Sequence, residues 1–313
     1  MARILITGSN GFIGQSLASY LRQQHHQLVY SYRTAGNKPA AAGKHGVAIG
    51  AIDAHTHWQA ALSNVDCVIH LAARVHIMQE KKTDPLAAFR QVNTEGTLNL
   101  ARQAVAAGVT RFIYLSSIKV NGEQTFDQPF TADDPPAPQD PYAVSKYEAE
   151  QQLLSLAKET GLDVVIIRPP LVYGPGVKGN FSRLIKLVAK SLPLPLAGIT
   201  NARSLVNIDN LCSLIARLIS HPKAAGEVFL VSDGEDLSSS ELFEQLALAQ
   251  AKKSRLFYLP PLLIKWLATL LGRQAEYTRL FSSLQVDISK NKQLLDWQPE
   301  VSVRSGIKAT IQA

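Results

Sequence analysis

Three glycines, each three residues after the last, stand directly behind the first apolar run of the chain. Arg3–Thr7 reads as a strand, and Thr7-Gly8-Ser9-Asn10-Gly11-Phe12-Ile13-Gly14 leads from it into a helical pattern over Phe12–Gln23. A strand that turns at once into a helix needs no side chain at the turn (Gly8), none where the backbone meets a ligand (Gly11), and none where helix and strand pack closely (Gly14). The first helical turn, with Asn10, Phe12 and Ile13 around it, offers unpaired N–H groups and the positive end of the helix field. The loop therefore predicts a strand–turn–helix unit that cradles a pyrophosphate.

The first half keeps this rhythm. Leu28–Tyr32, Val47–Ile49, Cys67–Leu71, Arg111–Ser116 and Asp163–Arg168 read as strands, most of them apolar throughout, as strands covered on both faces are. Helical stretches lie at His57–Leu62, Pro85–Ala107 and Pro141–Thr160, the last two closed by Gly108 and Gly161. Such alternation predicts an α/β fold, a doubly wound parallel sheet with right-handed crossovers. After Arg168 the pattern is irregular. Residues 169–203 are rich in Pro and Gly around one helix near Phe181–Lys190. Strand, helix and strand follow at Ser204–Ile208, Asn210–Ser220 and Glu227–Val231, and a capping box of Ser238 with Glu241 opens another helix. We expect a nucleotide-binding domain over 1–168 with a return segment at 204–232, and a smaller substrate domain from 169–203 and 233–313.

Composition narrows the function classes. Of 313 residues, 46% are hydrophobic and 18% charged, so there is a core to bury and no case for disorder. No apolar run reaches the ~18 residues of a bilayer span. The longest, Leu256–Leu271, is interrupted by Pro260, Pro261 and Lys265, and within it Leu259–Leu271 reads as a buried or subunit-contacting helix rather than a membrane-surface one. The N-terminus lacks a signal-peptide pattern. Two cysteines, Cys67 and Cys212, make neither a disulfide framework nor a metal knuckle and read as core. A cytoplasmic protein without a metal is expected. The net charge of +7 is scattered, which argues against nucleic acid and fits a surface that attracts small anions.

The end of the second strand bears on the cofactor. NAD sites commonly place an acid there for the ribose hydroxyls. Here the residues are Ser31-Tyr32-Arg33, and the planar fork of Arg33 suits a 2′-phosphate, favouring NADP(H) over NAD(H).

Three further features coincide. Ser116-Ser117 closes the strand at 111–116, Asn93 lies in the preceding helix, and Tyr142 and Lys146 stand four apart, on one helix face. Hydride transfer at an alcohol carbon also moves a proton at its oxygen. A free phenol has a pKa near ~10, and an ammonium one turn away, together with the nicotinamide's positive charge, is expected to lower it. Ser117 is placed to hold the same oxygen, and Lys146 to bond the nicotinamide ribose.

With these residues in order, the chain resembles the extended short-chain dehydrogenase/reductases of the nucleotide-sugar epimerase/dehydratase family. Thr7–Gly14, His70-Leu71-Ala72-Ala73, Asn93, Ser117, Tyr142 with Lys146, and Arg168-Pro169-Pro170-Leu171-Val172-Tyr173-Gly174-Pro175 carry the resemblance over nearly the whole chain. It implies a Rossmann domain in which Leu71, Ala72 and Ala73 line the cofactor channel, with Asn93 and Ser116 also at the cofactor and Pro169 at its nicotinamide end. It further implies that Asn180, Arg203 and Arg279 grip a UDP-sugar's diphosphate, that Leu194 and Leu196 flank the base, and that Lys119 and His76 face the sugar. A homodimer packed through the helices at 85–107 and 141–160 is implied as well. The acid usual after the third strand's glycine is Ala51, which leaves the adenine contact to Ile52 or Asp53.

Two departures set the expected reaction. The 4,6-dehydratases carry Asp-Glu after the serine or threonine, whereas this chain has Ile118-Lys119, so water elimination is disfavoured. Residues 116–123 and 231–238 look most like the bacterial O-antigen enzymes that reduce a UDP-4-keto-6-deoxy-N-acetylhexosamine to UDP-N-acetylquinovosamine. A 4-ketoreductase is thus the first expectation. A UDP-glucose or UDP-N-acetylglucosamine 4-epimerase holding NAD tightly is the alternative. A non-catalytic dinucleotide sensor would have no need of Ser117, Tyr142 and Lys146. His55 and His57 lack a third ligand at metal spacing, and His70 reads as a packed, hydrogen-bonded core residue.

Overall fold

The structure, a computed structural model, describes residues 1–75 and 84–312. Its first half runs β1 (Arg3–Thr7), α1 (Phe12–Gln23), β2 (Gln27–Tyr32), β3 (Gly46–Ala48), α2 (Gln59–Leu62), β4 (Cys67–His70), α3 (Pro85–Arg90), α4 (Gly96–Ala106), β5 (Arg111–Leu115), α5 (Pro141–Thr160) and β6 (Asp163–Arg168). The second half runs β7 (Leu171–Tyr173), α6 (Gly179–Ala189), β8 (Arg203–Asn207), α7 (Ile208–Leu218), β9 (Val228–Leu230), β10 (Asp236–Leu237), α8 (Ser239–Ala249), α9 (Pro261–Leu270), α10 (Gln274–Phe281), α11 (Ser289–Leu295) and α12 (Val303–Gln312).

Seven strands form one sheet in the order β3-β2-β1-β4-β5-β6-β9, with every neighbouring pair parallel. Alternate residues of each strand feed two cores. Ile4 and Ile6 pack with Leu17 and Leu21 of α1 and Leu211–Leu218 of α7, while Leu5 packs with Leu100 and Ala104 of α4 and Ala149 and Leu153 of α5. Burial on both faces explains why the strands show no polar alternation. The order reverses between β1 and β4, and such a switch point leaves a crevice at the carboxyl ends of the strands.

The second sheet has the order β10-β8-β7 and packs with α6, α8 and α12 through Phe181, Leu242, Phe243, Val303 and Ile307. The strand expected at 204–208 belongs here, whereas α7 and β9 return to the large sheet. Asp233 ties the two layers. It accepts hydrogen bonds from the Tyr173 hydroxyl, the Asn207 N–H and the Asn210 amide, at 2.8, 2.7 and 2.7 Å.

Two helical expectations are corrected. The single helix expected over Pro85–Ala107 is interrupted by a π-helical turn at Gln91–Glu95. Gly96, just after it, lies so close to Ile52 that an added Cβ would stand 2.7 Å from the Ile52 side chain. Of the buried or subunit-contacting alternatives for Leu259–Leu271, burial within the chain is corrected, since no residue of α9 is buried.

Candidate active site

The glycine loop forms as its spacing requires. Gly8 has φ +67°, and a Cβ there would stand 2.9 Å from the Ala72 backbone nitrogen. A Cβ on Gly14 would fall 2.3 Å from the Gly8 carbonyl oxygen. The loop borders a cleft of about 390 Å³ lined also by Asn10, Gly11, Arg33, Ile52, Leu71, Ala72 and Ala73, a volume in the range of small-molecule sites. Phe12 and Ile13 open α1 beside it. The rim also includes Asn37, which the sequence reading passed over because a polar residue in an irregular segment carries no periodic signal. Arg33 stands exposed at the rim. Of Ile52 and Asp53, Ile52 lines the cleft, while the Asp53 carboxylate accepts from the His55 N–H at 2.8 Å.

The floor is held by buried polar bonds. The Thr7 hydroxyl bonds His70 Nδ1 at 2.8 Å and accepts from the Leu71 and Ala72 N–H groups, both at 3.1 Å. His70 Nε2 bonds the Thr97 hydroxyl at 2.9 Å. Burial, then the Lys146 charge, pushes the imidazole down to about 3, which makes His70 a neutral tie between strand ends. Asn93 sits in the π turn. Its oxygen accepts from the Arg74 N–H at 2.8 Å, and its amide donates to the Arg74 carbonyl and the Ser145 hydroxyl, both at 3.0 Å. Asn93 thus clamps the segment after Ala73 to α5.

The proton-handling residues gather at the ends of β5 and β6. Asp140 caps α5 by accepting the Ala143 N–H at 2.7 Å, which sets Tyr142 in the first turn. The Tyr142 ring meets Phe89 edge-on at 6.0 Å. Lys146 is buried, donates to the Leu115 carbonyl at 2.8 Å and lies 4.4 Å from the Tyr114 ring centre. Desolvation pulls its ammonium down to about 7 against the opposing pull of Glu150. Burial, then the Asp140 charge, pushes the Tyr142 phenol up to about 12. Ser117 accepts the Lys119 N–H at 3.3 Å, and Pro169 accepts the Ile118 N–H at 3.0 Å.

The residues expected at the substrate divide into three sets. Lys119 is not an open cation: it pairs with Asp140 at 2.5 Å and Glu123 at 2.9 Å. The Asp140-Pro141 helix start was the available signal for that partner. Arg203 donates to the Ser282 carbonyl at 2.8 Å, and burial, then the Arg279 charge, pulls it below the ordinary guanidinium range. Two guanidiniums together suit a diphosphate. Asn180 is exposed in the first turn of α6, Leu194 is half-buried against Leu256, and Leu196 is buried in the core between the small sheet and its helices. His76 lies outside the described residues.

The residues present fit a bound dinucleotide. Among the described residues, two buried hydroxyls lack a partner, Ser31 at the cleft and Ser116 at the end of β5. A buried unpaired polar group costs about 1–3 kcal/mol, which a ligand donor or acceptor would recover. Together with the glycine cradle and the switch point, they define a dinucleotide-dependent α/β enzyme.

The chain belongs to the NAD dependent epimerase/dehydratase family, whose model matches residues 4–232. It is 48% identical over 313 residues to a UDP-glucose 4-epimerase of Vibrio cholerae, covering 99% of this chain and 94% of that protein. Among solved structures, a dTDP-glucose 4,6-dehydratase of Streptomyces venezuelae with NAD bound is 26% identical, with a TM-score of 0.78 over 99% of this chain and 96% of the other. A UDP-N-acetylglucosamine 4-epimerase of Bacillus cereus shares the fold at a TM-score of 0.81 and 19% identity, over 100% and 99% of the two chains.

Proposed function

We propose that the protein is an NAD(P)-dependent enzyme acting at C4 of a UDP-hexose or UDP-N-acetylhexosamine, and that it works as a 4-epimerase. The similarity to the Vibrio cholerae protein over nearly the full length of both chains supports this form. In this reading the large sheet holds the dinucleotide, with Gly8, Gly11 and Gly14 at the pyrophosphate, Ser31 and Arg33 at the adenosine end, and Ser116, Lys146 and Pro169 at the nicotinamide end. Segments 169–203 and 233–313 hold the nucleotide sugar, with Arg203 and Arg279 on the diphosphate. When bound, the dinucleotide supplies a reversible hydride acceptor at C4. Tyr142 takes and returns the proton at the C4 oxygen, Ser117 orients that oxygen, and Lys146 fixes the ribose. The reading includes a cytoplasmic homodimer through α3, α4 and α5, which light scattering on the purified protein tests.

Two observations favour a second form, the 4-ketoreductase. No carboxylate follows β2, and Arg33 stands at the rim where a 2′-phosphate would lie, which suits NADPH exchanged at every turnover. The phenol of Tyr142 is held protonated, ready to donate to a ketone. One experiment separates the forms. The purified protein is incubated with UDP-glucose or UDP-N-acetylglucosamine and no added cofactor. Appearance of the C4 epimer is the expected result. Its absence, with NADPH oxidised only when a UDP-4-keto sugar is supplied, replaces the epimerase with the reductase. Absence of both activities overturns the common reading.

A further inference from the structure

Helix α9 and the segment leading into it leave Phe257, Tyr258, Leu262, Leu263, Trp266, Leu267, Leu270 and Leu271 exposed, Trp266 at 61% and Leu262 at 80%. A contiguous apolar surface of this kind on a folded chain marks a contact site. The charges around it narrow the occupant. Between Glu244 and Glu276 the sequence holds no acid and five cations: Lys252, Lys253, Arg255, Lys265 and Arg273. All five are exposed, and none forms an ion pair among the described residues. The base of the helix is fixed to the body of the protein. Leu194 N–H donates to the Arg255 carbonyl at 3.0 Å, and Phe257 N–H donates to the Leu194 carbonyl at 3.0 Å.

We propose that α9 and its basic flanks dock the protein on an anionic lipid surface. The apolar side chains enter the interface, with Trp266 at the depth where aromatic rings settle, and the cations meet the headgroups. No helix among the described residues is long and apolar enough to cross a membrane, so the attachment is peripheral. A second copy of the chain fits less well. A two-fold interface sets the same patch against itself, and here it would bring five unpaired cations against five others.

The test uses the protein's own fluorescence. Of its three tryptophans, Trp58 and Trp297 are buried, so a change at the surface reports Trp266. The protein is mixed with vesicles of phosphatidylcholine alone or with phosphatidylglycerol added, and both flotation and emission are read. Flotation with the anionic vesicles only, reversed by salt and accompanied by a blue shift, is the expected result. Trp266→Glu combined with Leu270→Glu abolishes flotation, and Leu262→Glu combined with Leu270→Glu, which keeps the reporter, abolishes both signals. Lys252→Glu combined with Lys253→Glu weakens binding about tenfold, as removal of headgroup contacts should. Conversion of a water-soluble substrate stays unchanged in these variants. Failure to float at low salt overturns the proposal, as does equal flotation on neutral vesicles. Self-association that Trp266→Glu removes, without flotation, assigns the face to a second copy instead.

Discussion

At the scale of single residues, Tyr142 and Lys146 lie on one helix face but are not tuned as a pair in isolation. Lys146 is turned to the Leu115 carbonyl, and Tyr142 keeps its proton under burial and the nearby Asp140 carboxylate. Two outcomes are expected. Tyr142→Phe lowers turnover by about 10²-fold or more with cofactor affinity unchanged, read by steady-state kinetics beside cofactor titration. The rate of alcohol oxidation by the native enzyme climbs with pH beyond 9, while ketone reduction stays level over the same range, because only oxidation needs the phenolate. A flat oxidation profile would remove Tyr142 as the base. Arg33 is the other decisive side chain. Arg33→Ala weakens NADPH by about tenfold, the scale of a lost charge-assisted contact, and leaves NADH nearly unchanged. Equal losses for the two cofactors would separate Arg33 from the 2′-phosphate.

At the scale of elements, a buried ion pair joins α5 to β6 behind the site. Arg168 donates to Glu150 at 2.6 Å and to Asn121 at 2.9 Å, with both charged side chains almost wholly enclosed. Glu150 lies one turn beyond Lys146, so the same helix face carries the phenol, the ammonium and this pair. Removing one partner strands a buried charge. Arg168→Met is expected to lower unfolding free energy by about 3–5 kcal/mol in urea, and the double variant Arg168→Met with Glu150→Leu by less. Equal losses would mean that the charge is reached by water. The π turn at Gln91–Glu95 acts at the same scale. Its extra residue lets Asn93 reach both Arg74 and Ser145. Insertions of this kind recur beside functional sites.

At the scale of the whole molecule, stability carries a pH dependence centred on His70. Its folded pKa lies below the unfolded value near ~6.5, so the unfolded chain takes up the proton first as pH falls. The His70 contribution is therefore full above pH ~6.5 and drains towards 3, by up to about 1.4 kcal/mol per pH unit. Urea midpoints measured from pH 7 to 4 should fall more steeply for the native protein than for His70→Asn. Parallel curves would assign the acid loss to the carboxylates. Much of the architecture could be read from the chain alone, because its signals are local. Glycine spacing, apolar strands without alternation, the Tyr142–Lys146 interval and the Ser238 capping box each act within a few residues, where backbone sterics and helix periodicity rule. Other features depended on residues distant in sequence. Lys119 found Asp140, Arg203 found Arg279, the strand at 203–207 joined the small sheet, and the apolar 261–270 helix stayed outside the core. Long-range packing, desolvation and charge pairing govern those outcomes, and no local pattern encodes them.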